Sequence, residues 1–151
     1  MRTTKVRLWG AIAVSALVAV SVAAMTATEA IKEREKTMEG IRDEMMVLGS
    51  MVKNETPFDA EAVHDSAAKI AEGFSHAAEL FPEGSDSGDV ETLAKPEIWT
   101  DREHFDELLE GARQAAIELQ SVTTAEQLPP ALGKLGNGCK TCHDMYRKPK
   151  K

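Results

Sequence analysis

The chain has 151 residues, 42% of them hydrophobic and 28% charged, and its 25 acidic against 18 basic residues give a net charge of −7. That balance argues against nucleic acid as a partner, since phosphate binding needs clustered Lys and Arg. The length suits one domain with a single core.

The N-terminus has the three parts of a secretory signal peptide. Arg2, Lys5 and Arg7 come first with no acid among them, and an apolar run from Leu8 to Ala24 follows, ending in small residues. Val22 and Ala24 stand three and one positions before the expected cut, between Ala24 and Met25. At about 17 residues the run sits at the lower limit for a membrane span, so an uncleaved N-terminal anchor is the alternative. In either case residues 25–151 form the folded domain and face the periplasm, with no stable membrane span expected after cleavage. Residues 1–24 hold three of the 18 basic residues and no acid, which leaves 15 basic against 25 acidic and a charge of −10. A partner with a basic docking surface is one reading of that acidity, and a solvated surface with no particular partner is the other.

Helical periodicity runs through nearly all of the remaining chain, and strand-like alternation is absent. From about Glu29 to Asn54, Ile31, Met38, Ile41, Met45, Leu48 and Val52 recur in steps of seven, three and four. A second helix, about Asp59 to Phe81, carries Val63, Ala67, Ile70, Phe74, Ala77 and Phe81 on one stripe, with Asp59 as N-cap and Pro82 with Gly84 ending it. A polar connection of about twenty residues, Pro82 to Asp101, exceeds ordinary loop length and is expected to pack over the fold. The third helix, about Asp101 to Gln120, places Phe105, Leu108, Ala112, Ala116 and Leu119 on its stripe.

The fourth helix, about Thr124 to Arg147, has Leu128, Leu132, Leu135, Cys139, Cys142 and Tyr146 in steps of four and three, which puts both cysteines on its core stripe. Thr124 with Glu126 and Gln127 resembles a capping start, and Pro129 and Pro130 are tolerable only in the first turn. Gly133, Gly136 and Gly138 each lower helix propensity by about 1 kcal/mol relative to Ala. Close approach of a flat group to the backbone is one explanation for them, and a frayed or kinked start to the helix is the other.

Cys139-Lys140-Thr141-Cys142-His143 has the Cys-x-x-Cys-His spacing of a c-type haem attachment sequence. Two thiols three residues apart share a helix face and can add to the two vinyl groups of one porphyrin, and the histidine brings an imidazole to the iron. The chain has two cysteines, so neither has another intrachain partner. A redox dithiol would want a thioredoxin-like context, and no strand pattern precedes Cys139. Structural zinc would need four ligands, whereas His64, His76 and His104 are scattered. A disulfide within the turn leaves His143 unexplained.

Four amphipathic helices with mostly short links predict an all-α, antiparallel four-helix bundle with one covalently bound haem in its core. The seven methionines suit a core packed against a polarizable ring, gap filling being the plainer reading.

The chain resembles the class II c-type cytochromes, that is cytochrome c prime and its low-spin relatives of the c-556 type. The carrying features are Arg34 with Met38, the turn Phe81-Pro82-Glu83-Gly84-Ser85, the segment Lys95-Pro96-Glu97-Ile98-Trp99, and the C-terminal motif followed by Tyr146-Arg147. The resemblance covers essentially all of residues 25–151 and implies one haem c per chain. Cys139 and Cys142 would carry the thioether bonds and His143 would be the proximal iron ligand. Arg34 would approach a haem propionate, with a solvent-facing helix charge as its alternative. Arg147 would lie near the proximal histidine, with a basic helix C-terminus as its alternative. Trp99 would close the connection onto the bundle.

In this family the side chain at the place of Met38 faces the iron opposite the histidine. If the Met38 sulfur bonds the iron, the site is six-coordinate and low-spin and suits electron transfer. If Met38 only packs nearby, the iron is five-coordinate and can take NO or CO, for sensing or detoxification. Electron transfer with His143 and Met38 as iron ligands is the leading expectation, with a redox protein as partner. Related bundles also form homodimers through their first two helices. No acid, base or nucleophile constellation suggests an enzyme, and His64 and His104 read as solvated helix residues beside carboxylates.

Overall fold

A computed structural model describes residues 25–149, so the expected leader 1–24 lies outside the described residues. Four long helices and one short one follow in chain order: α1 (Ala27–Val52), α2 (Ala60–Ala78), α3 (Glu97–Thr100), α4 (Arg102–Leu119) and α5 (Leu128–Tyr146). Thr26 starts α1 with a capping box. Its hydroxyl accepts the Glu29 amide at 3.2 Å, and the Glu29 carboxylate accepts the Thr26 amide at 2.8 Å. Asp59 caps α2 as expected, its Oδ1 accepting the amides of Glu61 and Ala62 at 2.9 and 3.2 Å.

The long helices form the expected bundle. α1 packs on α2, α2 on α4 and α4 on α5, while α1 and α5 meet along a much sparser seam. α1 and α2 come close at Gly73, where a Cβ would lie 2.7 Å from Ile41 Cγ1. The core joins Ile41 and Leu48 of α1, Val63, Ile70 and Phe74 of α2, Phe105 and Leu109 of α4, and Leu128, Leu135 and Tyr146 of α5. Burying each such side chain contributes on the order of 1.5–3 kcal/mol.

Three local details sharpen these expectations. On α4, Leu109 is buried together with Leu119, whereas Leu108 is half-buried against the core. The last helix begins at Leu128 and not near Thr124. The Gln127 side chain accepts the amides of Thr123 and Thr124 at 2.9 and 3.2 Å, which holds those residues in a turn and leaves Pro129 and Pro130 in the first helical turn. The methionines do not fill the deep core. Met38, Met45 and Met51 are half-buried against it, and Met25, Met46 and Met145 are exposed.

The connection from α2 to α4 folds over one end of the bundle. Gly84, at φ +78°, turns the chain where a side chain would be strained. The carbonyl of Pro82 then accepts the Ser85 hydroxyl at 2.8 Å and the Trp99 indole N–H at 2.9 Å. The Trp99 ring packs against the core with the Arg34 guanidinium of α1 5.7 Å from its centroid, which closes the connection onto the bundle, as the resemblance implied. The four-residue helix α3 lies within this segment.

Candidate functional site

The short α1–α2 turn at 53–59 reverses the chain, and the connection and the 120–127 loop reverse it again, so the start of α1 shares one end of the bundle with the end of α5. Arg34 and Met38, one turn apart on α1, therefore stand on the half of the bundle that carries Cys139, Cys142 and His143.

Two stripes of α5 have different neighbours. Leu135, Gly138, Cys142 and Tyr146 follow one another in helical steps. A Cβ on Gly138 would lie 3.8 Å from Ala112, and the Tyr146 ring meets Phe105 edge-on at 5.4 Å, so this stripe faces α4. Leu132, Gly136, Cys139 and His143 form the adjacent stripe, and all four are half-buried. The other helix that α5 meets is α1, at the sparse seam. Met38, Met45, Leu132, Cys139 and Cys142 all pack against the core without being enclosed by it.

The electrostatics argue against a thiol-exchange site. Burial, and then the neighbouring Cys139, push the Cys142 thiol up to about 11, and burial also raises Cys139. Both sulfurs stay protonated at neutral pH, unlike the thiolates of reactive dithiols. Burial lowers the pKa of His143, Arg147 lowers it further, and Asp144 opposes them. The ring is held neutral, the form that ligates a metal. Among the described residues, no group of three or more His, Cys, Asp or Glu is arranged to hold a bare metal ion. Two thiols and an imidazole on one helix fit haem c. A Cβ on Gly133 or Gly136 would meet nothing within 4 Å, so helix packing does not require either glycine.

Arg34 is not solvent-facing. It is 5% exposed, with its guanidinium 4.6 Å from the centroid of the Phe81 ring. Nη1 donates to the Leu80 carbonyl at 3.2 Å and the Ser85 hydroxyl at 3.5 Å, and Nη2 to the Ser85 carbonyl at 2.9 Å and the Thr92 hydroxyl at 3.3 Å. Burial lowers its pKa and Glu35 opposes that shift, and the group remains charged at neutral pH. All four acceptors are neutral. Arg147 is exposed and closes α5, its amide reaching the His143 carbonyl at 3.1 Å.

The sequence left one cluster unread. The Tyr146 hydroxyl donates to Asp101 at 2.6 Å and lies 3.1 Å from His104 Nδ1. His104 is therefore half-buried in a polar cluster rather than simply solvated, whereas His64 is exposed beside Asp65. Tyr146, four residues after Cys142 on the core stripe, was the available signal, since a buried tyrosine hydroxyl wants a partner.

The family model described as Cytochrome C' matches residues 29–147. Cytochrome c-554 of Cereibacter sphaeroides is 36% identical over 121 residues, 78% of this chain and 91% of that protein. Cytochrome c-556 of Rhodopseudomonas palustris is 29% identical over 140 residues, 90% of this chain and 94% of that protein. Among solved structures, cytochrome c' from Rhodopseudomonas palustris superposes with a TM-score of 0.77 at 31% identity, covering 81% of this chain and 98% of that one. The chain belongs to the cytochrome c' family of class II c-type cytochromes, four-helix bundles that carry one covalently attached haem c.

Proposed function

We propose that this monohaem cytochrome carries electrons in the periplasm, with its iron bound by His143 and Met38 and its haem attached through Cys139 and Cys142. The haem supplies a one-electron couple at the iron. The observation that carries the reading is Met38, a thioether donor half-buried on the core stripe of α1, on the half of the bundle that bears the attachment motif. The neutral state of His143 supports its role as the other ligand. Arg34, with Nη1 and Nη2 already on neutral acceptors, contributes its positive charge to a propionate more than free hydrogen-bond donors. Arg147, one turn beyond His143, opposes anionic character in that imidazole. The leader-like residues 1–24 support export, and the charge of −10 on residues 25–151 supports a redox partner with a basic docking surface. Among the described residues, no helix is long and apolar enough to cross a membrane.

Visible spectra of the oxidised and reduced holoprotein, with and without CO, test the reading. The expected result is a low-spin spectrum with a methionine-to-iron charge-transfer band, unchanged by CO and lost in Met38→Ala. Rapid CO binding by the wild type would overturn it in favour of an open site for NO or CO.

A further inference from the structure

A helix ends with four carbonyls that have no donor within it. At the end of α5 the first of these, on His143, accepts the Arg147 amide at 3.1 Å. The other three all go to Lys95. Its Nζ donates to the carbonyls of Asp144 and Met145 at 3.2 and 2.8 Å, and its amide donates to the carbonyl of Tyr146 at 2.9 Å. These acceptors are one, two and three residues beyond the proposed iron ligand. The tail answers in kind: the Lys148 amide reaches the Leu93 carbonyl at 2.8 Å, and its Nζ reaches the Thr92 carbonyl at 3.2 Å. Pro96 restricts Lys95 to the extended backbone that this pairing needs.

We propose that Lys95 is a positioning residue for the iron site, fixing the turn that carries His143 and placing a positive charge where the negative end of the helix dipole lies. The dipole of α5 ends in these carbonyls, whose partial negative charge favours oxidised iron, and the Lys95 ammonium offsets it. The inference rests on His143 as the iron's ligand and holds whether or not Met38 bonds the iron. A residue that merely latched the connection in place would change stability and leave the iron unaltered, so the readout has to be at the metal.

Wild type, Lys95→Met, Lys95→Gln and Lys95→Arg are compared as holoproteins at equal haem content. The measurements are the reduction potential and the hyperfine-shifted proton resonances of the His143 ring. Lys95→Met and Lys95→Gln are expected to titrate at a lower potential with displaced His143 resonances, and Lys95→Arg to restore both toward wild type. Wild-type potential and resonances in Lys95→Met and Lys95→Gln would overturn the proposal, even if both melted earlier. If Lys95→Met yields no holoprotein, Lys95→Gln against Lys95→Arg decides the question. Met38→Ala spectra report on the ligation reading separately, so one idea can fail without the other.

Discussion

The two ends of the bundle are built differently. At the end where α1 starts and α5 finishes, the connection from α2 to α4 is tied down by buried polar groups: Arg34, Ser85 and Thr92, with the Trp99 N–H and the Tyr146 hydroxyl satisfied beside them. At the other end, the α1–α2 turn and the 120–127 loop are short and mostly exposed, and an open groove of about 440 Å³ lies between Met51, Phe58 and Pro129. A satisfied buried network gives a unique geometry, and each partner lost from it is costly. The bundle concentrates that specificity where the attachment motif sits, which suits a covalently held haem that must keep one geometry. Nothing comparable is needed at the opposite end.

Arg34→Met breaks this contrast most severely. It removes the donors to the Leu80 and Ser85 carbonyls in a site where water does not replace them easily. Ser85 keeps its bond to Pro82, and Thr92 still accepts the Ala94 amide at 3.2 Å, so the damage falls on the two carbonyls. Two unsatisfied buried acceptors cost about 3 kcal/mol together. Urea denaturation of the holoprotein should show a loss of this size, against little change for a surface substitution such as Lys36→Met, whose ion pair with Glu33 is exposed. A loss below about 1 kcal/mol would mean that the connection relaxes around the missing group.

Tyr146 sharpens the comparison through pH. Burial and then the hydrogen bond to Asp101 push its hydroxyl up to about 12 from its ordinary value. A tyrosine whose pKa is raised by folding contributes stability that is complete below the unfolded value, about 10, and is lost as pH rises through the folded value. Tyr146→Phe is therefore expected to be about 1 kcal/mol less stable at neutral pH, and the two proteins should converge as pH rises from about 10 to 12. Thermal midpoints of both proteins across that range check this. No difference at neutral pH would place the tyrosine's contribution in ring packing on Phe105, which phenylalanine keeps.

What the sequence revealed of this end, and what it concealed, has a physical basis. Helix periodicity located all four long helices to within a few residues, because each buries one stripe. Asp59 was readable as a cap, and Thr26-Ala27-Thr28-Glu29 spells a capping box that would have placed the start of α1 correctly. Cys139, Cys142 and His143 were legible because their spacing is itself the chemistry. Arg34 and Lys95 were visible as residues, but their partners were not: most of their acceptors are backbone carbonyls some 46 to 51 positions away. Carbonyls carry no side-chain identity for a pattern to match. The helix α3 was missed for a different reason, since four residues are too few to show a period.

The opposite end provides the control, and the expected effect there is the smallest. α1 finishes in a Schellman motif: the Glu55 amide reaches the Ser50 carbonyl at 2.9 Å, and the Asn54 amide reaches that of Met51 at 3.1 Å. Asn54 sits at φ 59°, in the left-handed region that asparagine tolerates and glycine adopts freely. Asn54→Gly relieves the backbone strain but gives the unfolded chain more freedom to lose. The net gain is therefore small, about 0.5 kcal/mol. Its side chain makes none of the bonds that hold the attachment end, so the reduction potential and visible spectrum should stay at wild-type values while the denaturation midpoint rises slightly. If Asn54→Gly moved the potential, the two ends would be mechanically coupled along α1, and the polar network around Arg34 could not be what isolates the iron site from the rest of the bundle.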